Sequence, residues 1–106
     1  MNNARRKELK TIAEELQQVQ NDMADFVSTL EDIKDRLESL KDEEEAAFDN
    51  LPEGLQEAEK GERMQSAVES LEEAVDGVDE IIGTLEGLSG DSVDAVVELI
   101  GQAIDA

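Results

Sequence analysis

From Leu9 onward the apolar residues of this chain fall at Leu9, Ile12, Leu16, Val19, Met23, Phe26, Leu30, Ile33, Leu37 and Leu40, alternating steps of three and four. That spacing is a heptad seam, because 3.6 residues per turn returns a side chain to the same side of a helix every three or four positions. No Gly or Pro interrupts the pattern before Phe48, so it predicts a helix over 4–48. At 1.5 Å per residue the roughly 40 residues from Leu9 to Phe48 are about 60 Å long.

The repeat fails at Asp49-Asn50-Leu51-Pro52-Glu53-Gly54, which holds the only Pro. A turn is expected over 49–60, with Asn50 as a cap and a short helical turn at about 52–59, where Phe48, Leu51 and Leu55 close the end of the core. A second seam follows at Met64, Ala67, Leu71, Ala74, Val78, Ile81, Leu85 and Leu88 and predicts a helix over 61–88. Two seams joined by a tight turn make an antiparallel hairpin. Val68, Val75 and Ile82 form a further apolar row, wider than a two-helix coil requires and in need of cover. On the other side Ser70, Gly77 and Thr84, with Ala67 and Ala74, permit close helix approach.

Ser89-Gly90-Asp91 then breaks the pattern, and Asp91, with Asp94 three residues on, reads as the N-cap of a third helix over 92–105. Its apolar face is Val93, Val96, Val97, Ile100 and Ile104, with Leu99 and Ala103 beside it. A helix of about 14 residues is marginal alone, so this face requires a partner. Three placements meet that need. The helix bends over the seam near Leu9, Ile12, Leu16 and Val19, which the shorter second helix leaves uncovered; it folds back over Val68, Val75 and Ile82; or a homodimer pairs the uncovered stretches into a four-helix assembly. The expected fold is all-α: a coiled-coil-like antiparallel helical hairpin with a short third C-terminal helix, in a single domain over 1–106.

Charge narrows the function. The chain has 29 acidic and 9 basic side chains, no His, no Lys or Arg after Arg63, and a net charge of -20. Such a surface repels nucleic acid and anionic lipid and attracts basic proteins. High charge with few aromatics also suits a disordered chain, but the regular seams decide against that reading over most of the chain. Phe26 and Phe48 are the only aromatics, which removes the usual stacking platforms for bases and sugars, and the absence of Cys removes disulfides and thiolate metal sites. Met1 to Lys10 is basic but polar and lacks the apolar core of a signal peptide. No segment approaches the roughly 18 apolar residues of a membrane span, so a cytoplasmic location is expected.

Catalytic constellations are missing. Paired carboxylates need one buried or perturbed acid, and these acids fall on outward heptad positions. Without His or Cys there is no nucleophile–base pair of the usual kind, and the Gly residues form no phosphate loop. Asp76-Gly77-Val78-Asp79-Glu80 and Asp91-Ser92-Val93-Asp94 superficially suggest calcium loops but lack the ligand alternation of an EF-hand. Met23 and Met64 sit on seams as core residues. The chain is therefore expected to be no enzyme and to use neither cofactor nor metal.

The N-terminal Asn2-Asn3-Ala4-Arg5-Arg6-Lys7 and the turn Asp42-Glu43-Glu44-Glu45-Ala46-Ala47-Phe48-Asp49-Asn50-Leu51-Pro52-Glu53-Gly54-Leu55-Gln56 give this chain a resemblance. Over residues 2–88 it resembles the small acidic helical-hairpin proteins encoded by phages and prophages of Gram-positive bacteria. The tail from Ser89 looks like an addition. The resemblance implies a phage-encoded accessory protein acting in the bacterial host cytoplasm, and it implies no catalytic residue.

Two surfaces compete for the functional role. Glu69, Glu72, Glu73, Asp76, Asp79 and Glu80 follow helical spacing away from the second seam, and Asp25, Asp32 and Asp35, with Glu31, Glu38, Asp42 and Glu45, make a comparable face on the first helix. Rigid rows of carboxylates resemble a phosphate backbone, and in a phage the target of such a mimic is a host nucleic-acid-binding or defence protein. The other class is a structural or assembly protein that binds a partner or itself through Val93, Val96, Val97, Ile100 and Ile104, with charge serving only solvation.

Overall fold

The computed structural model describes residues 1–106 and is all-α. Helix α1 spans Asn3–Asp49, α2 Glu53–Gln56 and α3 Glu59–Gly87. A π-helical turn, Leu88–Ser92, then leads into α4, Val93–Asp105. The hairpin predicted from the two seams is present. No helix is long and apolar enough to cross a membrane. The chain divides into two units: a loop unit, Leu30–Ile81, and a terminal unit that joins Met1–Thr29 to Ile82–Ala106.

In the loop unit the register is marked by ion pairs. Lys34 lies 2.9 Å from Asp79, and Lys41 lies 3.9 Å from Glu72. Seven residues forward on α1 thus meet seven back on α3, as antiparallel helices require. The inward positions are Leu30, Lys34, Leu37, Lys41, Glu44 and Phe48 on α1, against Gly61, Met64, Val68, Leu71, Val75 and Val78 on α3.

This seam is rotated from the one expected. Leu30, Leu37, Met64, Leu71 and Val78 face inward as predicted, but Ala67 and Ala74 are exposed, Ile81 is 50% exposed, and Val68 and Val75 take their place. Burial area explains the choice. The Met64–Leu71–Val78 line has small Ala on one flank and larger Val on the other, and turning the Val row inward removes more apolar surface from water at about 25 cal/mol per Å². The row judged to need an extra cover is therefore covered by α1. On α1 the same rotation leaves Leu40 54% exposed and brings the stems of Lys34 and Lys41 over the seam, their ammonium groups reaching α3 carboxylates.

The corner satisfies the last carbonyls of α1, which have no partner within the helix. The Gln56 side-chain amide donates to the carbonyls of Phe48 at 3.1 Å and Asp49 at 3.5 Å and, just past the helix, to that of Leu51 at 3.2 Å. Asn50 makes no side-chain cap, and Pro52 precedes α2. Phe48 and Leu51 are half-buried at this end, whereas Leu55 is 45% exposed and closes nothing.

In the terminal unit α4 lies along the N-terminal half of α1, the first of the three placements. Gln20 donates through its amide to the Ser89 carbonyl and to Asp94 Oδ1, and Arg6 Nε donates to the Ile104 carbonyl at 3.2 Å. Val27, Ile82 and Val93 are the most buried side chains. Leu9, Leu16 and Met23 stay inward as expected, joined by Ala13 and Gln20, while Ile12 and Val19 remain open.

The expected break at Ser89-Gly90-Asp91 does not occur. Gly87 and Ser92 keep right-handed helical dihedrals, and no residue, Gly included, has positive φ, so nothing ends α3 in a left-handed cap and Asp91 caps nothing. Instead the π turn inserts one residue into the helix. Inward positions run Ile82, Leu85, Ser89, Val93, Val97, Ile100 and Ile104, with one extra step of four at the turn. An uninterrupted α-helix would have presented Ser92, Val96, Leu99 and Ala103 instead.

This has a direct test. Deleting Gly90 should convert the turn to ordinary α-helix while keeping Val93, Val97, Ile100 and Ile104 inward. Stability to urea should change by less than about 1 kcal/mol, the scale of a single Gly in a helix. Deleting Glu80 from α3 should turn every later residue by about 100° and cost several kcal/mol, because each buried aliphatic side chain is worth about 1.5–3 kcal/mol. Equal losses from the two deletions would contradict the assigned phase.

Candidate partner-binding surfaces

The acidic rows are built by the heptad phase of α3. Seam positions take the uncharged residues, so the acids occupy the outer half of the helix, where Glu69, Glu72, Glu73, Asp76, Asp79 and Glu80 are all exposed. Asp32 and Asp35 of α1 are exposed in the same loop unit, while Asp25 is exposed in the terminal unit. Twelve of the thirteen acids singled out from the sequence, all but Asp25, therefore belong to one unit.

Two grooves sharpen this surface. One is lined by Glu45, Phe48, Asp49, Gln65, Val68, Glu69 and Glu72. The other is lined by Glu38, Lys41, Glu72, Val75 and Asp76, so Glu72 borders both. Carboxylates stand around a floor that includes Phe48 and Val68. Phe48, Asp49 and Gln65 were not among the expected site residues. Helical spacing on one helix carries no sign of them, since they meet α3 acids only once the register of the two helices is known.

Neutralisation is partial. Lys34 Nζ donates to Asp79 Oδ1 at 2.9 Å, and this hydrogen bond raises the Lys34 pKa above its ordinary value, against desolvation and with help from the charges of Asp79, Glu38 and Asp35. Lys41 lies 3.7 Å from Asp42 as well as near Glu72, and Arg36 lies 3.6 Å from Asp32. Glu45, Glu69 and Asp76 make no ion pair. Like charges at helical spacing repel by a few tenths of a kcal/mol per pair, and salt screens that repulsion. Raising NaCl from 50 to 500 mM should therefore raise the melting temperature by several degrees, read by circular dichroism. A fall would mean that the exposed ion pairs outweigh the repulsion.

The alternative apolar face is not available as drawn. Val93 is buried, Val97, Ile100 and Ile104 are half-buried toward α1, and only Val96 is open, at 45% exposure. The π turn is the cause, since it brings the Val93 side of α4 inward. No three acidic residues converge as a metal site. No protein-family model matches this chain, and no curated protein or solved structure is significantly similar to it.

Proposed function

We propose that this is a non-enzymatic, phage-encoded accessory protein that binds and inhibits a host nucleic-acid-binding or defence protein through its acidic, polyanion-mimicking helical surface. The observation that carries the reading is the loop-unit groove in which Glu45, Asp49, Glu69 and Glu72 surround Phe48 and Val68. An Arg or Lys side chain laid there meets carboxylates at its head and an apolar floor along its stem, with Phe48 available for a cation–π contact. Neighbouring acids on α3 repeat at about 5–6 Å, comparable to the spacing of phosphates along a nucleic-acid strand. A surface that reads phosphates thus finds charge at similar intervals on a rigid support.

The test is capture from bacterial lysate on the immobilised chain at 50 mM and 500 mM NaCl, followed by competition with duplex DNA. The expected partners are basic proteins that are released by high salt and displaced by DNA. Partners that survive high salt and ignore DNA would sink the proposal.

A further inference from the structure

We infer that the terminal unit carries a second docking surface, separate from the acidic grooves, for an amphipathic helix whose apolar face is bordered by Lys or Arg. Ile12, Val19 and Phe26 lie seven residues apart on α1, one position before the seam, and are 39%, 46% and 60% exposed. Leu88, Val96 and Leu99 are 46%, 45% and 62% exposed.

The register joins these two rows. With Gln20 bonded to Asp94 and Arg6 to the Ile104 carbonyl, Phe26 comes level with Leu88, Val19 with Val96 and Ile12 with Ala103. In an antiparallel pair the positions preceding the seam on both helices share one edge, so Phe26 with Leu88 and Val19 with Val96 form two rungs of an apolar ladder, Ile12 extends the row beside Ala103, and Leu99 lies one turn from Val96 on its outer side. At the N-terminal end of the ladder lies a groove lined by Met1, Arg5, Glu8, Leu9 and Ile12. A helical stripe that includes the position beside the seam is wider than a two-helix coil needs and suits a helix with a further neighbour.

Charge selects the occupant. Along the α1 side the ladder is bordered by exposed Glu8, Glu15 and Asp22, again seven apart, while Gly87, Ala95 and Gln102 on the other side carry no charge. A second copy would bring its own acidic row and a net charge of -20 to the same place. A helix with Leu or Ile toward the ladder and Lys or Arg at seven-residue intervals meets both the apolar rungs and the acidic border. That is the helix-in-groove mode of recognition.

The experiment uses the full chain and three labelled 21-residue probe peptides: a Leu/Lys heptad helix, the same composition scrambled, and a Leu/Glu heptad helix. Binding is followed by fluorescence anisotropy. The Leu/Lys helix should bind at least tenfold more tightly than its scrambled equal, and the Leu/Glu helix should not bind measurably. Phe26→Asp with Leu99→Asp should abolish the tenfold preference while leaving weak, salt-sensitive binding of both Lys peptides. The single Leu99→Gln variant, at the most exposed residue of the apolar patch, provides a milder check if the double variant loses helicity. Equal affinity for ordered and scrambled peptides, or a preference that both variants leave intact, would overturn the inference. So would a wild-type dimer in sedimentation velocity that Phe26→Asp turns into a monomer, since a second copy would then be the occupant. Lysine substitutions at Glu45, Glu69 and Asp76 should leave the preference unchanged, so failure here and failure of the acidic-groove proposal are distinguishable.

Discussion

Replacing Glu45, Glu69 and Asp76 together by Lys is expected to weaken binding to a captured basic partner by more than about 100-fold, each lost charge-assisted contact being worth about 1.5–3 kcal/mol. The same triple variant should melt at a higher temperature than the wild type. The three carboxylates make no ion pair and stand among other acids, so their removal relieves repulsion without breaking a native contact. Reversal at Asp79 would be a poorer choice because it sets a lysine against Lys34. Binding that falls while stability rises is an unusual pair of outcomes for a surface substitution, since general damage to the fold lowers both. Isothermal titration at two salt concentrations and thermal melts on the same samples read the two effects. Unchanged affinity would remove the acidic edge from the function and leave its charge to solvation alone.

Gly61→Ala is expected to cost about 3 kcal/mol, at the upper end of the usual penalty for overpacking. A Cβ built at Gly61 would lie 2.1 Å from the Gln56 carbonyl oxygen and 2.7 Å from its Cα. Those are backbone atoms in the corner, and they cannot swing aside as a side chain would. Gln56 is also the residue whose amide holds the Phe48 and Asp49 carbonyls at the end of α1, so a shift of its backbone withdraws those hydrogen bonds too. Gly83→Ala is the control. Nothing lies within 4 Å of a Cβ there, and an Ala in mid-helix is favoured over Gly by about 1 kcal/mol, so that variant should gain stability. Urea titrations of the two variants should move in opposite directions. A Gly61→Ala protein as stable as the wild type would show that the corner relaxes.

The two long helices and the corner were legible because heptad spacing and a lone Pro are strong local signals. The rotation of the seam was not. Along one helix, the Ala67–Ala74–Ile81 row and the Val68–Val75–Ile82 row both keep steps of three and four with Met64, Leu71 and Val78, so periodicity alone cannot rank them. The decision came from pairing, through Lys34 with Asp79 and Lys41 with Glu72, which are 45 and 31 residues apart in sequence. The π turn was hidden for a related reason. Ser89-Gly90-Asp91 has the composition of a break, and only the burial of Val93 beside Val97 shows that one residue was absorbed and helicity retained. The acidic rows were visible as charge, but their grouping into grooves with Phe48 required the register of α1 against α3.

The π turn also divides the second arm of the hairpin in time. Opening that starts at Ala106 takes α4 off α1 as a whole, but it cannot pass Leu88–Ser92 without giving up the turn's irregular hydrogen bonds at once. The 13 residues of α4 are too few to persist as helix once they leave α1. Amide protons of Val93–Asp105 should therefore exchange together as one cooperative block, ahead of those of α3, and each such excursion uncovers Leu9 and Leu16 to solvent.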